Sequence, residues 1–142
     1  MIITFCGHSD FYEKGDIAKR VQEAIEEAAK GEKVEFFLGG YGNFDRFAYS
    51  RAKEYKEKHN NAKIIFVTPY QTESYLEYKA YNYDEIIYPF EDKVIPRFAI
   101  TYRNKWIIER SDFVIAYVKR SFGGAYKMLK QAEKAKKQIF YL

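Results

Sequence analysis

The chain has 142 residues, a formal net charge of +4 and a hydrophobic fraction of 47%. That length fits one domain with one core, spanning residues 1–142. The mild positive charge permits anionic ligands without demanding nucleic acid, and the single cysteine excludes an internal disulfide framework or a Cys-cluster zinc site.

Residues 1–6 (MIITFC) form a short apolar run with β-branched members, read as a buried first strand. Cys6 within it is expected to be a core thiol. Residues 15–30 follow with Ile17, Val21, Ala24, Ile25, Ala28 and Ala29 at helical spacing, between Asp16 and Gly31 as helix punctuation. Residues 34–38 (VEFFL) are the second strand, cut off by Gly39-Gly40-Tyr41-Gly42. Asn43 opens a second helix that ends near His59. Residues 63–67 (KIIFV) are the third strand, broken by Thr68-Pro69.

A short helix is predicted over 72–80 and a fourth strand over 84–88. A loop is expected from Pro89 to about Ile100, because prolines bracket it. Residues 101–110 read as a helix, in which Trp106 is expected to be core. Residues 112–118 (DFVIAYV) are the fifth strand. Ser121 and Gly123-Gly124 start a helix to about Lys136, and residues 138–142 form a last strand. No apolar run approaches the ~18 residues that a membrane span needs, and no signal-peptide layout opens the chain. The expectation is therefore a cytoplasmic protein.

Strands that are apolar throughout, alternating with helices, predict an α/β, Rossmann-like three-layer sandwich with a mostly parallel central sheet. Right-handed crossovers place the strand C-termini on one edge, where such sheets bind ligands. The chemistry is therefore sought in the loops after the strands. Gly39, Gly40 and Gly42 allow close approach of a ligand to the backbone, and Asn43 begins a helix whose free N–H groups suit an anion. Ser121, Gly123 and Gly124 repeat that logic after strand five, with Ser121 as a hydroxyl cap. A single GGxG is equally a tight turn; two at one sheet edge are more specific.

Gly7, His8 and Ser9 form a polar turn after strand one. His8 titrates near neutrality and suits phosphate or proton transfer, whereas Ser9 or Asp10 could simply cap the turn. Arg103, read as lying near a helix start and so against the dipole, is expected to be held by an anion. Asn104 beside it suits a base or ribose edge. Asp45 is the best-placed carboxylate for ribose hydroxyls, or equally a favourable charge at a helix N-terminus. No metal site and no cofactor are predicted. Aromatic residues are frequent, with 14 Tyr and 12 Phe. Stacking is weighed only for those beside a glycine turn.

The blocks TFCGHSDF, FFLGGYGNFDRFA, RNKWIIERSDFVIAYV and SFGGAYKMLKQA resemble the SLOG superfamily of Smf/DprA and LOG-like Rossmann-like domains. They are most similar to its small, stand-alone, YpsA-like branch. The resemblance runs nearly end to end and is weakest over residues 70–98. It implies a sheet that binds nucleotide-derived ligands, in a superfamily of nucleotide-signal sensors, a DNA-processing protein and phosphoribohydrolases. The hydrolases carry a PGGxGTxxE motif. Here its proline position holds Leu38, its threonine Asn43 and its glutamate Arg46, which argues against the same N-glycosidic hydrolysis.

The leading expectation is a binding module for a phosphate-bearing, nucleotide-like small ligand, acting as sensor or sequestering protein. The alternative is an N-glycosidic hydrolase or transferase on a nucleoside monophosphate, with Asp45 and His8 as catalytic groups. A further alternative is single-stranded nucleic-acid binding, disfavoured by the absence of a basic arm. A homo-oligomer is also considered, with the Tyr-rich stretch 70–88 as interface.

Overall fold

The computed structural model describes residues 1–73, 76 and 83–142. In chain order its elements are β1 (Ile2–Gly7), α1 (Ile17–Ala29), β2 (Val34–Leu38), α2 (Asn43–Lys58), β3 (Ala62–Val67), β4 (Glu85–Ile87), α3 (Pro96–Arg110), β5 (Phe113–Tyr117), α4 (Gly124–Lys134) and β6 (Gln138–Tyr141). The helix expected over 72–80 falls largely outside the described residues, as does part of the stretch 70–88.

The six strands form one sheet in the order β4-β3-β2-β1-β5-β6, and every pairing is parallel. Side chains alternate across it, so successive residues of one strand serve different layers. Ile3, Phe5, Phe36 and Leu38 join Val21 and Ile25 of α1 and Phe44 and Phe47 of α2 in one apolar cluster. Cys6, Phe37, Ile65 and Val67 join Ile107 and Ile108 of α3 and Met128 and Leu129 of α4 in another. The sheet is thus covered on both faces, as its apolar strands require.

Three expectations differ from the structure. The segment before residue 101 is not a loop throughout, because α3 already begins at Pro96. A proline has no N–H to lose at the first helical position, so it starts this helix rather than breaking it. Arg103 consequently sits in the middle of α3, not near its start. Trp106 is only partly buried; it stacks on Phe37 at 5.7 Å between centroids and carries the Arg110 guanidinium 4.0 Å from its ring centre.

The strand order places the site. From β1 the chain builds outward through β2, β3 and β4, then returns through α3 to lay β5 on the other side of β1. The loops leaving β1 and β5 therefore diverge, opening a crevice at the strand C-termini.

Candidate binding cleft

A cleft of about 550 Å³ lies at that divergence. The loop after β1 contributes Gly7, His8 and Ser9, and the end of β2 contributes Gly39 and, one turn into α2, Asp45. Arg103 and Asn104 come from α3, and Gly123 and Gly124 from the start of α4. These nine residues, far apart in sequence, meet in one place. Gly40, Gly42, Asn43 and Ser121 do not line it.

The two glycine turns differ in what occupies them. At Gly40, φ is +74°, and a Cβ would stand 2.6 Å from the Phe66 ring. At Gly42, φ is +90°, and a Cβ would stand 2.8 Å from the Ser9 Cα. Both glycines are thus demanded by the protein's own packing. The N–H of Asn43 donates to the Ser9 carbonyl at 2.9 Å, and the N–H of Tyr41 donates to Asp45 Oδ2 at 3.0 Å. Two donors of this turn, those of Tyr41 and Asn43, are thus taken by the protein itself.

The turn before α4 is open. Gly123 has φ +90° and forms the N-cap of α4, where no side chain caps the helix. Ser121, expected as a hydroxyl cap, instead lines a groove along α4 that adjoins the cleft. A Cβ at either Gly123 or Gly124 would meet no atom of the described residues within 4 Å. Gly124 also lies outside the left-handed region, so neither conformation nor packing demands glycine there. The first helical bond runs from the Lys127 N–H to the Gly123 carbonyl. The N–H groups of Gly124, Ala125 and Tyr126 precede it, with the positive end of the helix dipole behind them.

Side-chain chemistry surrounds this opening. Arg103, only 4% exposed, donates from Nη1 to the carbonyls of Val67 at 2.7 Å and Gly39 at 3.1 Å, and from Nε to Asn104 Oδ1 at 2.8 Å. It ties β2 and β3 to α3 behind the cleft. Arg120 reaches from the loop after β5 to Asp10 after β1, donating through both terminal nitrogens at 2.8 and 3.2 Å. That pair bridges the diverging loops. The guanidinium holds the Asp10 carboxyl below its ordinary range. Cys6 is buried in the core; burial and the nearby Asp45 charge push its thiol up to about 12, and it donates to the Ala125 carbonyl at 3.0 Å. It is a core thiol and no nucleophile.

His8 is neutral near pH 7. Its Nε2 accepts the Lys119 N–H at 2.8 Å, and its ring meets Tyr117 edge-on. Burial, and then the Arg120 charge, hold its pKa below the usual histidine value, against the opposing pull of Asp10. The consequence for stability has a definite sign. A lowered folded-state pKa means that the unfolded chain binds the proton more readily. Stability is therefore full above about pH 6.5 and is lost as pH falls from there toward the folded-state value. Urea midpoints at pH 7.5 and 5.5 are expected to show a larger acid loss for the parent chain than for His8→Gln. Equal losses would refute this assignment.

Asp10, Tyr41, Arg120 and Phe122 also line the cleft. In the sequence Asp10, Tyr41 and Phe122 stand out only as members of the histidine and glycine turns, and Arg120 carries no signal. The Asp10–Arg120 pairing spans 110 residues and leaves no local signal. Arg46, at the glutamate position of the hydrolase motif, is exposed and lies outside the lining; the carboxylate that faces the cleft from this turn is Asp45.

No protein-family model and no curated protein matches the chain. Solved structures do. DNA processing protein A from Helicobacter pylori, described by its single-stranded DNA binding mode, superposes with a TM-score of 0.62 at 17% identity, covering 99% of this chain and 64% of that one. DNA processing protein A from Streptococcus pneumoniae gives 0.65 at 17% identity, covering 98% of this chain and 49% of that one. The molybdenum cofactor carrier protein from Chlamydomonas reinhardtii gives 0.52 at 14% identity, over 99% and 75%. The chain shares the Rossmann-like α/β fold of these proteins. This chain spans about half to two-thirds of the length of the two DNA-processing proteins. The shared fold accounts for the crevice between β1 and β5 but does not name what fills it. Among the described residues, no helix is long and apolar enough to cross a membrane, and no cluster of three or more His, Cys, Asp or Glu side chains is placed to hold a metal.

Proposed function

We propose that the cleft binds a phosphate-bearing, nucleotide-like small molecule, with the phosphate on the N-terminus of α4. One observation carries this reading: Gly124 is a glycine that the protein itself does not require, with open space where a side chain would stand. The space lies over helix N–H groups, which is where an anion binds. Among the described residues the charged groups lining the cleft are Asp10, Asp45, Arg103 and Arg120, whose charges balance. Affinity for an anion therefore falls on the backbone donors, assisted by Arg120. The volume suits a small ligand.

The test is thermal unfolding of the parent chain and Gly124→Val against AMP, ADP-ribose, NAD, cyclic mononucleotides, cyclic dinucleotides and a short single-stranded oligonucleotide. A ligand at ~100 times its Kd adds ~2.7 kcal/mol. One nucleotide is expected to raise the parent's midpoint by several degrees and to leave Gly124→Val unmoved, while the two unliganded proteins melt within about 3 °C of each other. No shift with any nucleotide rejects the reading.

A second reading has an observation of its own. A groove outside α4 is lined by Lys127, Lys130 and Lys134 and shares Phe122 and Gly123 with the cleft. It offers a path for an extended polyanion, and the Helicobacter pylori neighbour binds single-stranded DNA. A shift with the oligonucleotide alone, falling steeply with salt, supports this reading over the first. For the enzymatic alternative, Asp45 supplies a carboxylate in the cleft, but neutral His8, with Nε2 already accepting a bond, is a poor acid.

A further inference from the structure

We propose that Tyr41 and Phe122 form an aromatic clamp that makes the cleft selective for ligands carrying a flat heteroaromatic base. This deepens the phosphate-binding reading and rests on it. Both rings line the cleft, yet Tyr41 is 73% and Phe122 68% exposed. Isolated exposed aromatics are ordinary on a protein surface, so exposure alone carries nothing. The placement of this pair does.

Tyr41 follows β2 and Phe122 follows β5, and those strands flank β1 on its two sides. Two strand spacings separate them by about 9.6 Å at the sheet. A planar ring between two others at contact distance needs about 7–8 Å. The strands beneath the two loops are thus spaced widely enough for a base to enter between the rings of the proposed clamp. Each ring adjoins a glycine turn: Tyr41 sits between Gly40 and Gly42, and Phe122 directly precedes Gly123. In the proposed clamp, a ligand whose phosphate rests on α4 places its base between these two turns.

Neither ring has an aromatic partner among the described residues. The contact of Phe122 is with the Arg120 guanidinium, 5.7 Å from its centre. Other exposed rings behave differently. Phe98 and Tyr102 lie against each other at 6.2 Å, and Tyr12 carries Lys14 over its face without reaching the cleft. The backbone under Tyr41 is held by its bond to Asp45, which fixes where the ring departs from the turn. Stacking accepts any base, because each presents a π face. The clamp consequently selects for a base without choosing which one.

The test is calorimetric titration of the full chain with AMP, GMP, CMP, UMP and ribose 5-phosphate. The parent is expected to bind the nucleotides about tenfold more tightly than ribose 5-phosphate. The double variant Tyr41→Ala with Phe122→Ala is expected to bind all five alike, at the ribose 5-phosphate level. Tyr41→Phe with Phe122→Tyr should keep the parent's preference, because the faces and not the hydroxyl are at work. Equal binding of all five by the parent overturns the clamp and leaves the phosphate site standing. So does an undiminished nucleotide preference in the double alanine variant. Failure of the parent to bind any of the five overturns the phosphate site and the clamp with it.

Discussion

Gly7→Ala is expected to lower stability by about 2–3 kcal/mol, the upper range for forcing a methyl group into a packed core. A Cβ at this position would lie 2.2 Å from Phe44 Cγ and 2.3 Å from its Cδ2. The ring has no room to retreat. Phe44 is 1% exposed and packs against Phe11 at 5.1 Å, Phe47 at 5.8 Å and Tyr117 at 6.1 Å. Thermal unfolding should show a fall of about 10 °C for a chain of this size. A double-mutant cycle with Phe44→Leu isolates the cause. Shortening the ring should relieve the clash, so the pair should cost clearly less than the sum of the single changes. Strict additivity would mean that the two groups do not collide.

Arg103→Met is the second large effect, with an expected loss of about 3 kcal/mol in urea unfolding and an unchanged m-value. The thioether has similar reach but no donors. It strands the Val67 and Gly39 carbonyls, which now receive bonds from a charged group inside the protein. Each buried acceptor left without a partner costs about 1–3 kcal/mol. Arg103→Lys should recover little, because a point-like ammonium does not reproduce the guanidinium fork. A loss below about 1 kcal/mol for Arg103→Met would show that water takes over these carbonyls, and with it that the back wall of the cleft is wet.

The sheet was readable because its strands are buried on both faces. VEFFL and DFVIAYV are apolar runs closed by glycine or polar residues, and that pattern survives without any knowledge of their neighbours. The start of α3 was not readable for the opposite reason. Ile95, Phe98, Ile100 and Tyr102 are apolar yet exposed, so no single face stands out, and Pro96 reads equally as a breaker. Of the cleft, the glycine and histidine turns could be found because backbone freedom leaves a local mark. The distinction between a glycine filled by Phe66 and one facing open space has no such mark; it exists only in three dimensions. The same holds for Asp10 and Arg120, whose pairing depends on β5 lying beside β1.

That adjacency also orders the birth of the molecule. Ile3 registers with Phe113, so the middle strand of the sheet waits for a partner 110 positions downstream. At ribosomal speeds of roughly 5–20 residues per second, the delay is roughly 5–20 s. During that interval β1 pairs with β2 on one flank only, and its other edge is an open template for foreign strands. Made before the other five strands of its sheet, β1 is thus among the last to be enclosed, and the cleft comes into being only as that enclosure completes. A nascent chain halted before residue 113 would therefore carry half of a binding site and one unguarded edge, a natural target for a chaperone.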